Sequence, residues 1–185
     1  MLTRLLAVGV VAGGIYALSG LSEPVRAAPA GLAATDDVPN AITDVRGVLV
    51  GQTTVIEGDS VRTGVTAILP HPGNLYRDRV PAALHVGNGF GKLLGVTQLR
   101  ELGELETPIL LTCTLCVWKA ADYMVEWLLA QPAMDQVRSI NAVVGETNDG
   151  ALNAIRSRTI RAEHVPSALE RAGVSLIDRE HTGER

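Results

Sequence analysis

Aromatic side chains are nearly absent from this chain: one Phe, two Trp and three Tyr, 3% of 185 residues. A core without rings has to be aliphatic, and the 19 glycines must serve turns and close backbone approaches. Basic clusters are missing too. With 16 Lys and Arg against 20 Asp and Glu the net charge is −4, a balance that excludes nucleic acid and anionic membranes as main partners. There are two cysteines and four histidines. The cysteines sit in one pair and the histidines are scattered, so no metal-ligand spacing is expected. No internal repeat or low-complexity tract occurs.

The one long uncharged run, 5–21, follows Arg4 and precedes Val25-Arg26-Ala27. A positive start, an apolar middle and small residues at a cut is the order of a secretory signal. Residues 1–27 are therefore read as a signal peptide and the chain as exported, to the periplasm or outside the cell. Gly9, Gly13, Gly14, Ser19 and Gly20 make the run a poor spanning helix, so a membrane anchor is the lesser alternative. Residues 28–40, small, polar and proline-containing, read as a flexible leader. Residues 41–173 read as one α/β domain, and 174–185 as a polar tail.

Within that domain, 48–56 and 64–69 are β-branched and bounded by Gly and Asp, which predicts two strands. Shorter apolar strands are expected at 82–86, at 108–111 with Pro first, and at 140–144. Apolar residues at 117, 120, 121, 124, 125 and 128 mark a helix over 117–130, with Lys119, Asp122 and Glu126 opposite. A short helix is expected around Leu152 and Ile155. A last one spans 163–172, with Pro166 in its first turn and Gly173 as its stop.

Three constellations have chemical content. Gly87-Asn88-Gly89-Phe90-Gly91-Lys92 follows a strand but satisfies neither the dinucleotide fingerprint, which needs Gly at 92, nor a phosphate loop, since Leu93 follows the Lys. It reads as a tight turn or as a glycine loop lining a cleft. Cys113-Thr114-Leu115-Cys116 lies between a strand and a helix and reads first as buried or incidentally oxidised cysteines, with a thioredoxin-like redox pair as the alternative. Glu146-Thr147-Asn148-Asp149-Gly150 ends a strand in polar groups. It is either a turn with a helix cap or a set of groups presented to a cleft. Glu101, Glu104 and Glu106 read as a solvated, charged turn.

The run from Gly87 to Thr114, together with Glu146–Asn153, resembles the family of β-peptidyl aminopeptidases and L-aminopeptidase/D-esterases, self-processing serine hydrolases with an N-terminal nucleophile. The likeness runs from about residue 40 to 173. It implies an α/β/β/α sandwich of the aminopeptidase/ornithine acetyltransferase type, here incomplete, and hydrolysis of N-terminal aminoacyl amides or esters without metal or cofactor. Carried over by motif, Asn153 is the oxyanion donor, with Asn148 as second choice, because acyl transfer needs a neutral donor aimed at the developing charge. Asn88, Gly89, Tyr123, Glu146 and Asn148 are the substrate-binding candidates. The family's nucleophile follows a Lys-Gly-Gly-Ile-Gly-like segment, which does not occur before Arg185. The resemblance therefore implies a first-subunit portion, inactive alone, whose partner is a second subunit carrying the nucleophilic Ser; the complete enzyme is expected to be a homo-oligomer of heterodimers. The rivals are a thiol–disulfide protein using Cys113 and Cys116, and a non-catalytic remnant or binding module on the same fold.

Overall fold

The computed structural model describes residues 41–173 and a two-residue strand, β1 (Leu6–Ala7). The rest of the expected signal segment, the leader 28–40 and the tail 174–185 lie outside the described residues.

A four-stranded sheet forms the centre, in the order β2 (Leu49–Glu57), β3 (Val61–Leu69), β6 (Ile109–Thr112), β7 (Val143–Glu146). β2 and β3 are an antiparallel hairpin, β3 and β6 are antiparallel, and β6 and β7 are parallel. A smaller sheet joins β1, β4 (Val80–Ala83) and β5 (Glu104–Leu105). Three helices complete the described domain: α1 (Val96–Leu102), α2 (Val117–Leu129) and α3 (His164–Glu170).

β2 and α2 follow the sequence pattern closely, while β3 starts three residues ahead of the expected 64–69. The predicted stripe of α2 is the buried one: Val117, Ala120, Ala121, Met124 and Leu128 face the sheet. They meet Val55, Val65, Ala67, Leu110 and Val144 from the strands and Val165, Ala168 and Leu169 from α3. The opposite face of the sheet contributes Val48, Ile68, Ile109 and Val143, which pack with Leu99 of α1 and Leu105 of β5. One face is thus covered by helices and the other by the small sheet and α1, a layered mixed α/β arrangement.

Two glycines permit this packing. Gly51 lies where α3 crosses β2, and a Cβ there would collide with the backbone carbonyl of Ala168. Gly95, at φ 81°, lets the chain turn into α1 beside β7; a Cβ would lie 2.7 Å from Val143 Cγ2.

Several expected elements move. The strand expected at 82–86 is Val80–Ala83, and the one expected at 140–144 is Val143–Glu146. Ahead of β7, the Asn141 N–H donates to the Glu106 carboxylate (2.8 Å) and the Val143 N–H to Thr107 Oγ1 (3.2 Å), which removes these donors from a ladder. The short helix near Leu152 reduces to one 3₁₀ turn, Ile155–Ser157, because the Ala154 N–H bonds across to the Ser60 carbonyl of the hairpin (2.8 Å).

Glu106 corrects the reading of 101–106 as a solvated turn. It is 4% exposed and bonds Arg79 Nη2 at 3.1 Å. Arg79 also pairs with Glu104 (3.0 Å), and that hydrogen bond raises the guanidinium above its ordinary value, so it stays charged. Val143 and Val144 are buried, while Ile56 is 59% exposed at the hairpin end.

Candidate functional site

Because β6 and β7 run parallel, their carboxyl ends Thr112 and Glu146 lie side by side. Crevices outside the carboxyl ends of parallel strands are where α/β proteins bind ligands. The chain leaving β7 is tied to this end: Thr147 donates both its N–H (2.8 Å) and its hydroxyl (3.2 Å) to the Thr112 carbonyl. Thr112 Oγ1 in turn donates to the Gly64 carbonyl of β3 (2.8 Å).

The glycine loop comes to the same place. Leu94 donates its N–H to the Val144 carbonyl (2.9 Å), and Glu146 donates to the Lys92 carbonyl (3.1 Å), so the segment after the loop pairs along β7. Gly91 thereby sits against Glu146; a Cβ on it would be 3.5 Å from Glu146 Oε1. Asn88 and Gly89 are exposed, and Asn88 Oδ1 accepts the Phe90 N–H at 3.0 Å. Lys92 Nζ bonds the Phe90 carbonyl (3.0 Å), lies over the Phe90 ring and stands 4.0 Å from Glu146 Oε2.

Five of the six sequence candidates therefore meet at one end: Asn88, Gly89, Glu146, Asn148 and Asn153. Tyr123 does not. It packs half-buried against the helix-side core, six residues, or about 9 Å, along α2 from the first turn that faces this end.

The two asparagines differ in a way that motif matching could not show. Asn153 is 8% exposed, and both ends of its amide are engaged: Oδ1 accepts the Arg62 N–H (3.2 Å) and Nδ2 donates to Asp149 Oδ2 (3.1 Å). It ties the post-β7 turn to the hairpin. Asn148 is exposed and at φ 47°, a left-handed conformation that Asn tolerates. Its side chain has no hydrogen bond among the described residues.

Unsatisfied polar atoms concentrate here. Glu146 Oε2, Asp149 Oδ1, Thr53 Oγ1 and Thr114 Oγ1 are buried with no hydrogen-bond partner among the described residues, where buried polar groups are normally paired. Thr53, Gly64, Thr66, Leu111, Thr147 and Asp149 line a polar cavity of about 240 Å³. A larger cavity of about 450 Å³ lies at the other end of the sheet among Leu69, Leu75, Trp127 and Leu169, with no titratable side chain in its wall.

Cys113 and Cys116 are joined by a disulfide at the turn from β6 into α2. They are 1% and 0% exposed and belong to the core.

Residues 40–183 match the family model for peptidase family S58. The chain is 33% identical to β-peptidyl aminopeptidase BapA of Sphingosinicella microcystinivorans over 94% of its own length and 46% of that protein. Among solved structures, a β-aminopeptidase from a Burkholderia species superposes with a TM-score of 0.67 at 42% identity, covering 72% of this chain and 38% of that one. The L-aminopeptidase D-Ala-esterase/amidase of Ochrobactrum anthropi, described as a variant of the Ntn hydrolase fold, gives 0.65 at 32% identity, over 75% and 41%. The chain spans less than half the length of the curated relatives it matches. Its mixed α/β layers are those of the Ntn hydrolase fold, and the chain belongs to peptidase family S58.

Proposed function

We propose that this chain is the first-subunit portion of an exported, self-processing serine aminopeptidase acting on N-terminal aminoacyl amides and esters. Family membership supports the reaction class, and the signal-like order of residues 1–27 supports export. The observation that carries the site is the exposed amide of Asn148, which follows Glu146 and Thr147 off the end of β7 and has no hydrogen bond among the described residues.

In the complete enzyme a serine freed at the N-terminus of the second subunit attacks the substrate carbonyl, and its own α-amine or a neighbouring group takes the proton. Asn148 Nδ2, rather than Asn153, donates to the oxyanion, with backbone N–H groups beside it. Asn153 acts as a positioning residue that fixes the turn bearing Asn148. Glu146, with one oxygen unbonded, offers negative charge to the substrate's free amino end, and Asn88 and Gly89 border the cleft. This chemistry needs no metal or cofactor.

Burial of both sulfurs in the core speaks against the thiol–disulfide reading, since exchange requires an accessible thiol. The test is hydrolysis of D- or β-aminoacyl anilides by the chain alone and after co-expression with the remaining portion of a relative. No turnover is expected alone. Turnover abolished by a serine-directed reagent is expected with the complement. Hydrolysis by the 185-residue chain alone would refute the division of labour.

A further inference from the structure

Two dipeptides in the described domain have the sequence that favours cyclic imide formation, in which the backbone nitrogen of a glycine attacks the preceding side-chain carbonyl: Asn88-Gly89 and Asp149-Gly150. The fold treats them oppositely. Asp149 Oδ2 is held by Asn153 Nδ2, its Oδ1 is buried, and its carbonyl accepts the N–H groups of Leu152 and Asn153 at 3.0 Å each. That carboxyl is fixed in place and shielded.

Asn88 is exposed, and Gly89 has open space around it, with nothing within 4 Å of where a Cβ would lie. Asn88 Oδ1 accepts the Phe90 N–H (3.0 Å), a bond that polarises the side-chain carbonyl and steadies the charge that develops on its oxygen during attack. Nδ2, the leaving nitrogen, carries no hydrogen bond among the described residues. The other described asparagines lack this combination. Asn74 Nδ2 donates to the Pro132 carbonyl (3.3 Å), Asn153 is tied at both ends, and none of them precedes a glycine.

We propose that Asn88-Gly89 is a site of spontaneous covalent modification, a deamidation that the folded loop promotes. The Gly89 backbone nitrogen bonds to Asn88 Cγ and the Cγ–Nδ2 bond breaks. The proton lost from the Gly89 nitrogen leaves with Nδ2 as ammonia. Water then opens the imide at either carbonyl, giving aspartate or isoaspartate at position 88. Each event turns a neutral amide into a carboxylate in the loop that packs against Glu146, and the isoaspartate product also lengthens the backbone of the turn that bonds Gly91 N–H to the Asn88 carbonyl (3.2 Å). The inference is independent of the aminopeptidase reading.

Peptide mapping by mass spectrometry, with isoaspartate resolved, tests it on the intact chain held in mildly alkaline buffer, folded and in urea. In the folded chain Asn88 is expected to convert roughly tenfold or more faster than Asn74, Asn141, Asn148 or Asn153, and than Asp149 isomerises, a tenfold ratio being about 1.4 kcal/mol of barrier. Gly89→Ala, at a contact-free position, should slow Asn88 by a similar factor. Asn88 conversion no faster than the other sites, or slower in the folded chain than in urea, or unchanged by Gly89→Ala, would overturn the proposal.

Discussion

The parallel pair β6–β7 carries a glutamate at each end, and the two are held in opposite ways. At the amino end, Glu106 has both oxygens occupied, one by the Asn141 N–H and one by the Arg79 guanidinium, and its side chain is 5% exposed. At the carboxyl end, Glu146 is 16% exposed, has an oxygen with no hydrogen bond among the described residues, and has Lys92 at 4.0 Å as the one cation near it among those residues. The first arrangement is what a buried charge needs in order to hold a fold together. The second leaves interaction capacity unused, as binding sites do. The cavity among Leu69, Trp127 and Leu169 lies at the same end of the sheet as Glu106, whereas hydroxyls, amides and a glycine loop lie near Glu146.

Substitutions can break or sharpen this contrast. The largest effect is expected from Asn148→Ala in the complemented enzyme. Loss of one oxyanion donor should lower kcat by roughly 10²–10³, about 3–4 kcal/mol, with an unchanged melting curve. Asn153→Ala should reverse that signature, lowering thermal stability by about 1–2 kcal/mol through the lost Arg62 and Asp149 bonds. Equal kinetic losses without destabilisation in Asn153→Ala would return the donor role to Asn153.

Next in size, Glu106→Ala should lower the free energy of unfolding in urea by about 3 kcal/mol, because it strands the Asn141 N–H and removes one partner of Arg79. Reduction of the Cys113–Cys116 disulfide should remove about 2 kcal/mol at most, since the loop it closes is only three residues in sequence separation. Background rates in an insulin-reduction assay are expected throughout. Reductase activity lost in Cys113→Ser would restore the redox reading.

The smallest effect on stability belongs to Glu146→Gln. It should change the unfolding free energy by about 0.5 kcal/mol or less, while weakening substrate binding in the complemented enzyme as a rise in KM. A destabilisation as large as that of Glu106→Ala would erase the distinction between the two ends.

β-branched composition made the strands β2 and β3 legible in the sequence and an apolar stripe made α2 so, but neither the start of β3 at Val61 nor its pairing with β2 could be read there. Pairings between distant segments were not legible. The start of β7 slid by three residues because side chains at 106 and 107 capture N–H groups at 141 and 143. Glu106 looked solvated because its partner Arg79 lies on the approach to β4, far away in sequence. Asn153 was chosen by family motif, and its bond to the Arg62 N–H, which spans 91 residues, could not be read from the sequence. The polar cluster and glycine loop could be found by residue type, but which amide is free is a property of the tertiary structure alone.

Amide-resolved NMR of the intact chain, titrated with an aminoacyl amide such as β-alaninamide, tests the division between the two ends most directly. Resonances of Gly89, Lys92 and Glu146–Asp149 are expected to shift in a saturable way, while those of Glu106, Thr107 and Asn141 stay fixed. Shifts confined to the Glu106 end, or none at saturating ligand, would contradict the assignment of the β6–β7 carboxyl end as the place where substrate binds.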